Sequence, residues 1–381
     1  MQFEFATAGR VVLGPGRSSE LAGLVAELGL RAMICTGSHP DRHAPLLESL
    51  TRPHVVWTVA GEPTVESARA AVALGREQGV DVVVGLGGGS PLDLGKVVSI
   101  LLTNGGDPLD YLEIVGRGRP LTRPALPYVA VPTTAGTGSE ATANAVLKSA
   151  EHGVKASLRS AFMLPRVPLV DPLLTVDCPP AVTASAGLDA LTQCLEPFVS
   201  VRANPLTDGL AGEGLRRCGR ALRRAYEDGS DVNARTDMAV CGLLGGMALA
   251  NAKLGAIHGF ASAIGGIAEV PHGLACAALL VPVVETNVRA LRSRDPDSPA
   301  LARYAEAARL LTDNPDASVG DGIEWLRETV IRLRVPRLAE CGLRPADADA
   351  VVSRAATASS TQGNPVSLTA EELHAALAKA I

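Results

Sequence analysis

Aromatic residues are scarce in this chain, at 3% of 381, and there is no CxxC pair, no long run of like charge and no uninterrupted apolar stretch of the ~18 residues that a bilayer span needs. Each shortage excludes something. Single-stranded nucleic acids are held on stacking rings, and duplexes on a clustered cationic footprint. With 35 basic against 40 acidic residues, a net charge of -5, and only short basic pairs such as Arg223–Arg224 that suit solvated helix faces, no nucleic-acid partner is expected. The seven cysteines (35, 178, 194, 218, 241, 276 and 341) are odd in number and widely spaced, which argues against a disulfide framework or a structural zinc knot. Reduced, mostly buried thiols are expected instead. The opening MQFEFATAGRVVLG has no basic segment followed by an apolar core. A cytoplasmic chain without a membrane partner is the expectation.

What is present is a large apolar content, 47% of residues, in a chain long enough for two or three domains at roughly 150 residues each. RAMICTG (31–37), VVWTV (55–59), DVVVGLGGGS (81–90) and YVAVPTTAGTGSE (128–140) read as buried strands running into turns. VESARAAVALGREQG (65–79) and PLDLGKVVSILLTN (91–104) have helical periodicity, with Gly79 suited to a C-terminal cap and Pro91 near a helix start. Strand and helix in alternation predict a parallel sheet covered by helices. Beyond about residue 180 the chain becomes Ala-rich and strand-poor, as packed helices require. A Pro pair near Asp177–Pro180 places the boundary there, giving an α/β domain over 1–178 and an all-helical domain over 179–381. VSLTAEELHAALAKAI carries a Thr369-x-x-Glu372 capping box and predicts a final helix.

Three constellations carry chemistry. Gly87-Gly88-Gly89-Ser90, followed by Asp93 and Lys96, lies between a strand and a helix, where bare backbone N–H groups and the helix N-terminus can meet a phosphate. The spacing is neither GxGxxG nor a P-loop, and a tight connection alone would use the same glycines. Thr133, Thr134, Thr137 and Ser139 put four hydroxyls in seven positions after a strand, either to bond a nucleotide or to cap the next helix. Asp189 and Gln193, at i and i+4, share a helix face, and His258 and His272 follow beside Gly259 and Gly273, where the chain can turn close to a ligand. Asp and His are good ligands for divalent metals, and Gln is a weaker oxygen donor. A histidine in an Ala-rich helix can also be a satisfied core residue.

Together these stretches resemble the iron-containing, or group III, alcohol dehydrogenase family. The resemblance rests on GLGGGSPLDLGK (85–96), AVPTTAGTGSEAT (130–142), GLDAL…E (187–196), ANPLTDGLA (203–211), LGAIHGFASAIGG (254–266) and VPHGLACAALLVPVVETN (270–287), and covers roughly residues 5–375. It implies a Rossmann-like α/β domain for a nicotinamide dinucleotide and an all-helical domain holding a metal, the dehydroquinate synthase-like fold, with a homodimer or larger assembly. On that resemblance the diphosphate loop falls on Gly87, Gly88, Gly89 and Ser90 with Asp93 behind it, the nucleotide loop on Thr133, Thr134 and Thr137, and a cofactor-contacting lysine on Lys155. The family's metal ligands, one Asp and three His, fall on Asp189, Gln193, His258 and His272.

The departures carry as much weight. Position 193 is Gln where the resemblance implies His, and position 262 is Ser where it implies the second member of a His-x-x-x-His pair assigned to proton transfer. Fe²⁺ or Zn²⁺ should therefore bind more weakly, although Gln Oε1 can coordinate. After RAMICTG, NAD-specific members often carry an Asp for the ribose 2′-hydroxyl. Gly37-Ser38-His39 lacks it, and Ser38, His39 or Arg42 can meet a 2′-phosphate, so NADPH is favoured over NADH. The expected function is NAD(P)-dependent interconversion of a small aldehyde or ketone and its alcohol, in the reductive direction. His258 and His272 would stabilise the oxygen, and the proton would come from water, a cofactor hydroxyl or Ser262. The double loss at 193 and 262 raises two alternatives: a dinucleotide-binding regulator or scaffold without catalysis, and a metal-independent reductase resembling the maleylacetate reductases, whose own histidine pattern is absent. Lys253 either faces the site and favours an anionic carbonyl substrate or snorkels on the surface.

Overall fold

The computed structural model describes residues 2–381, which form two compact units. The first comprises Ala6–Thr134 and Gly138–Val176. Its strands are β1 (Val12–Leu13), β2 (Ala32–Gly37), β3 (His54–Val59), β4 (Val82–Gly87), β5 (Tyr128–Pro132), β6 (Asn144–Ser149), β7 (Val154–Arg159) and β8 (Val167–Val170). Six of them make one sheet in the order β1-β8-β5-β4-β2-β3, and every pairing in it is parallel. Its helices are α1 (Leu21–Leu28), α2 (Ala44–Glu48), α3 (Val65–Glu77), α4 (Gly89–Asn104) and the single turn α5 (Pro108–Tyr111).

Parallel strands need crossover helices, and these cover both faces. The sequence of β4 shows the consequence. Val82, Val84 and Leu86 pack with Leu21, Leu24 and Val25 on one side, and Val83 packs with Val97, Val98 and Leu101 on the other. Both faces are apolar, so the strand reads as a continuous Val-rich run, not as an alternation. α3 ends as expected: Gly79 takes φ 64°, and the N–H groups of Gly79 and Val80 turn back to Arg76 and Gly75. Strands β6 and β7 form an antiparallel hairpin that the sequence reading did not anticipate.

The second unit comprises Asp177–Ile381 together with Ala135–Thr137 and residues 2–5. It contains α6 (Pro180–Val199), α7 (Pro205–Glu227), α8 (Val232–Ala252), α9 (Ala256–Gly265), α10 (His272–Arg294), α11 (Pro299–Thr312), α12 (Val319–Arg332), α13 (Ala348–Thr357) and α14 (Ala370–Ala380). Starts are well specified: Pro180 and Pro205 open their helices, Asn204 caps α7, and the Thr369–Glu372 box caps α14 as expected. α10 is long and apolar enough to cross a membrane, although Glu285 and Asn287 interrupt its apolar run. However, 78% of its apolar window is buried against other parts of the protein, as in a core helix. α8 and α9, bent by 97° at their junction, pass the same length and composition test as a pair.

Candidate active site

α6 is the central helix of its unit: from Gly187 to Val199 every residue is buried. A helix buried all round is expected to be apolar all round. α6 instead carries Asp189, Gln193 and Glu196, at i, i+4 and i+7, so three expensive side chains lie along one face.

Two other helices bring partners to that face. His258 on α9 is buried and sets its Nε2 3.3 Å from Asp189 Oδ1, without hydrogen-bond geometry. His272, the first residue of α10, sets its Nε2 3.9 Å from the same oxygen, and the two imidazole centroids are 5.5 Å apart. One turn further along α10, Cys276 Sγ lies 3.7 Å from His272 Nε2. The donor atoms of Asp189, His258, His272 and Cys276 all lie within 4.8 Å of one another. Of these four, only His272 is open to solvent, with 45% of its side chain exposed.

The glycines expected to turn the chain at these histidines have another role. Gly259 and Gly273 are both inside helices. A Cβ on Gly273 would come within 2.7 Å of the Ser185 carbonyl oxygen, so its absence lets α10 pack onto α6 and carries His272 to Asp189.

Three buried atoms in this nest have no hydrogen-bond partner: Asp189 Oδ1, Gln193 Oε1 and His258 Nε2. Buried polar atoms are nearly always paired, and two oxygens and an imidazole nitrogen left open together fit a cation. The proton affinities agree. Burial alone would lower the His258 pKa, but Cys276, Asp189 and Glu196 outweigh it and hold that pKa well above the ordinary value. Cys276 is the main cause that pushes His272 up to about 8, against burial and the facing His258. Burial would raise Asp189, but His258, His272 and Gln193 hold it below its usual value. The two imidazoles therefore sit in a negative field, which favours a divalent cation as well as a proton.

Glu196 completes the arrangement. Its Oε2 accepts a 2.7 Å hydrogen bond from His258 Nδ1, and its Oε1 accepts one of 2.7 Å from the Ile257 N–H. This keeps a proton on Nδ1 and makes Nε2 the nitrogen that a cation would engage, displacing the proton there. Sequence reasoning assigned no role to Glu196 or Cys276. The available signals were spacing alone: Cys276 follows His272 by four residues, as Gln193 follows Asp189. Ser262 lies one turn after His258 on α9 and is exposed. Lys253 is also exposed, and its Nζ donates to Gln362 Oε1 at 2.8 Å, the surface alternative of the two expected.

The predicted dinucleotide residues other than Thr137 lie in the α/β unit. The sheet runs outward from β2 to β3, then returns to place β4 on the other side of β2. Open parallel sheets bind ligands outside the carboxyl ends of the strands at such a reversal. Those ends are Gly37, followed by Ser38, and Gly87, followed by Gly88, Gly89 and Ser90. Gly87 pairs in register with Pro132, so Thr133 and Thr134 leave the same edge. α4 begins at Gly89 with no side-chain cap, which leaves its first N–H groups open to an anion.

Asp93 lies behind this loop: it accepts hydrogen bonds from Ser139 Oγ at 2.6 Å and from the Val146 N–H at 2.9 Å. It therefore braces the loop. Thr137 clusters with the helical unit. Lys155, on β7, is held by Glu62 Oε1 at 2.6 Å and would have to exchange that partner to serve a cofactor.

Comparison with known proteins gives a consistent result. The family described as iron-containing alcohol dehydrogenase matches residues 8–172, and the C-terminal domain of the Fe-containing alcohol dehydrogenase family matches residues 183–381. Long-chain-alcohol dehydrogenase 1 of Geobacillus thermodenitrificans is 39% identical over 285 residues, 73% of this chain and 71% of its own length. The 1,3-propanediol dehydrogenase of Klebsiella pneumoniae is 38% identical over 330 residues, 85% of this chain and 82% of its own. The alcohol dehydrogenase from Oenococcus oeni superposes over 100% of both chains with a TM-score of 0.90 and 32% identity.

Proposed function

The chain belongs to the iron-containing alcohol dehydrogenase family and is an alcohol dehydrogenase; from that premise we propose that it reduces a small aldehyde or ketone to its alcohol with NADPH or NADH. The observation that carries this reading is the nest on α6, where three buried polar atoms stand open beside an accessible histidine.

When bound, the nicotinamide supplies the hydride and the divalent cation polarises the carbonyl oxygen. Asp189, His258 and His272 would hold the cation, with Gln193 Oε1 as a weaker oxygen donor, and Glu196 would orient His258 for that task. The N–H groups at Gly87–Ser90 and the α4 N-terminus bind the diphosphate. The hydroxyls of Thr133, Thr134 and Thr137 would bind the nucleotide, and Lys155 would contact it on exchanging its Glu62 partner. Gly37 and Ser38 receive the adenosine ribose, and with no carboxylate there a 2′-phosphate is accepted, which favours NADPH. Ser262, an ordered water or a cofactor hydroxyl would deliver the proton to the alkoxide oxygen left by hydride transfer, giving the alcohol.

The test is direct. Protein supplied with Zn²⁺ or Fe²⁺ is mixed with NADPH or NADH and a panel of small aldehydes and ketones, and nicotinamide absorbance is followed. Carbonyl-dependent oxidation is expected, faster with NADPH and suppressed by a chelator. No oxidation with any member of the panel, metal restored, overturns the proposal.

A further inference from the structure

We propose that Cys276 is a thiolate ligand of the cation, so that the site is Asp189, His258, His272 and Cys276, with Gln193 at its margin. This rests on the reading that the nest takes a divalent cation.

Asp189 offers a carboxylate oxygen and His258 a buried Nε2 whose tautomer Glu196 fixes; neither atom has a hydrogen-bond partner. His272 offers Nε2 from the first position of α10. Cys276 lies on the same face of α10 one turn later, buried, with its sulfur facing that nitrogen. The three separations below approach those of ligands around one small ion, and all four donor atoms lie within 4.8 Å of one another. A tetrahedral centre with metal–nitrogen distances of about 2.0 Å and metal–sulfur of about 2.3 Å sets nitrogen and sulfur about 3.5 Å apart, and nitrogen and oxygen about 3.3 Å apart. The corresponding distances are 3.7 Å for Cys276–His272, and 3.3 Å and 3.9 Å for the two histidines to Asp189. A buried cysteine that only filled space would have apolar neighbours on every side; this one faces an imidazole across a set of open donor atoms.

On binding, the Cys276 S–H bond breaks, a sulfur–metal bond forms, and the proton leaves to solvent without any change in oxidation state. A thiolate among two imidazoles and a carboxylate selects a borderline-soft ion such as Zn²⁺ and disfavours Mg²⁺ and Ca²⁺, which take oxygen ligands.

Cobalt is the probe. Chelator-stripped protein is loaded with Co²⁺, with no dinucleotide and no substrate present. A near-ultraviolet sulfur-to-cobalt charge-transfer band is expected in the wild type and is expected to vanish in Cys276→Ser and Cys276→Ala. Zinc affinity of Cys276→Ala should fall about 100-fold or more, at or beyond the ~10–100-fold that outer partners of a metal site are worth. Bound cobalt without the band, a band that survives in Cys276→Ala, or no cobalt binding overturns the assignment. Should both variants fail to fold, X-ray absorption of the zinc-loaded wild type decides. A sulfur neighbour at about 2.3 Å supports the ligand, and a shell of nitrogen and oxygen only refutes it. Because none of these readouts needs turnover, a missing sulfur signal in an active enzyme sinks this inference alone. A sulfur signal in an inactive protein sinks the proposed function alone.

Discussion

Replacing Glu196 with Gln changes one atom and should cost the nest its metal. The carboxylate accepts twice, from His258 Nδ1 and from the Ile257 N–H, each at 2.7 Å. A carboxamide has one acceptor and one donor end. If its oxygen keeps the Ile257 N–H, its NH₂ faces Nδ1, and His258 must move its proton to Nε2. That proton then points at Asp189 Oδ1, 3.3 Å away, and the lone pair needed by a cation is gone. If the oxygen instead keeps His258, the NH₂ confronts the Ile257 N–H, donor against donor in a buried place. The first arrangement is the less costly, because the His258 proton can move whereas the backbone N–H cannot. Outer partners of this kind are worth ~10–100-fold in metal affinity, or about 1.4–2.7 kcal/mol. Losing a charge-assisted hydrogen bond should also lower folding stability by about 1.5–3 kcal/mol. Zinc affinity measured by competition with a chromophoric chelator, beside thermal unfolding of the apoprotein, separates the two effects. A Glu196→Gln protein that binds zinc within twofold of wild type would refute the tautomer reasoning.

Other changes have distinct signatures. Gly273→Ala must move α10 away from Ser185, and should cost about 1–3 kcal/mol of stability and weaken metal binding; unchanged denaturant midpoints would show that the helices can give. Burial pushes the Glu140 carboxyl from 4.5 to about 7, against the pull of its own backbone N–H and of Lys96. The fold thus prefers the protonated acid, and stability should decline as pH rises from about 4.5 to 7, by about 3 kcal/mol in all, then level off. Glu140→Gln should remove that slope in denaturation curves taken from pH 5 to 8, and parallel pH profiles would contradict the assignment. Lys253→Ala should leave KM for carboxylated and neutral carbonyls within twofold of wild type, because this lysine is occupied by Gln362; a selective rise for the anion would return it to the site. Arg42→Ala should raise KM for NADPH and spare NADH, and equal effects on both would remove Arg42 from the 2′-phosphate.

Legibility in the sequence followed physical cause. Strands β2, β4 and β5 stood out because burial on two faces makes them continuous apolar runs ended by Gly or Pro. The β6–β7 hairpin did not: NAVLKS and VKASLR are short and mixed, and no two-residue turn signal joins them. In the nest, Asp189, His258 and His272 were visible because such side chains are out of place in Ala-rich helices. Cys276 was not, since a cysteine among Ala and Leu reads as a small hydrophobe until a fold shows what it faces. Gly259 and Gly273 were misjudged as turns because a glycine that permits close helix packing and one that bends a chain look alike in one dimension. Glu196 closes the GLDAL…E stretch (187–196), but no role followed from that: its importance is the tautomer it imposes on a residue 62 positions away.

The unequal exposure of the four donors has a kinetic consequence. With three walled in and His272 alone in contact with water, an ion held as proposed would meet that imidazole first on arrival and release it last on departure. Loading and loss would then share a single gatekeeper, and a blunt change at position 272 should alter how quickly the ion exchanges as well as how tightly it is held.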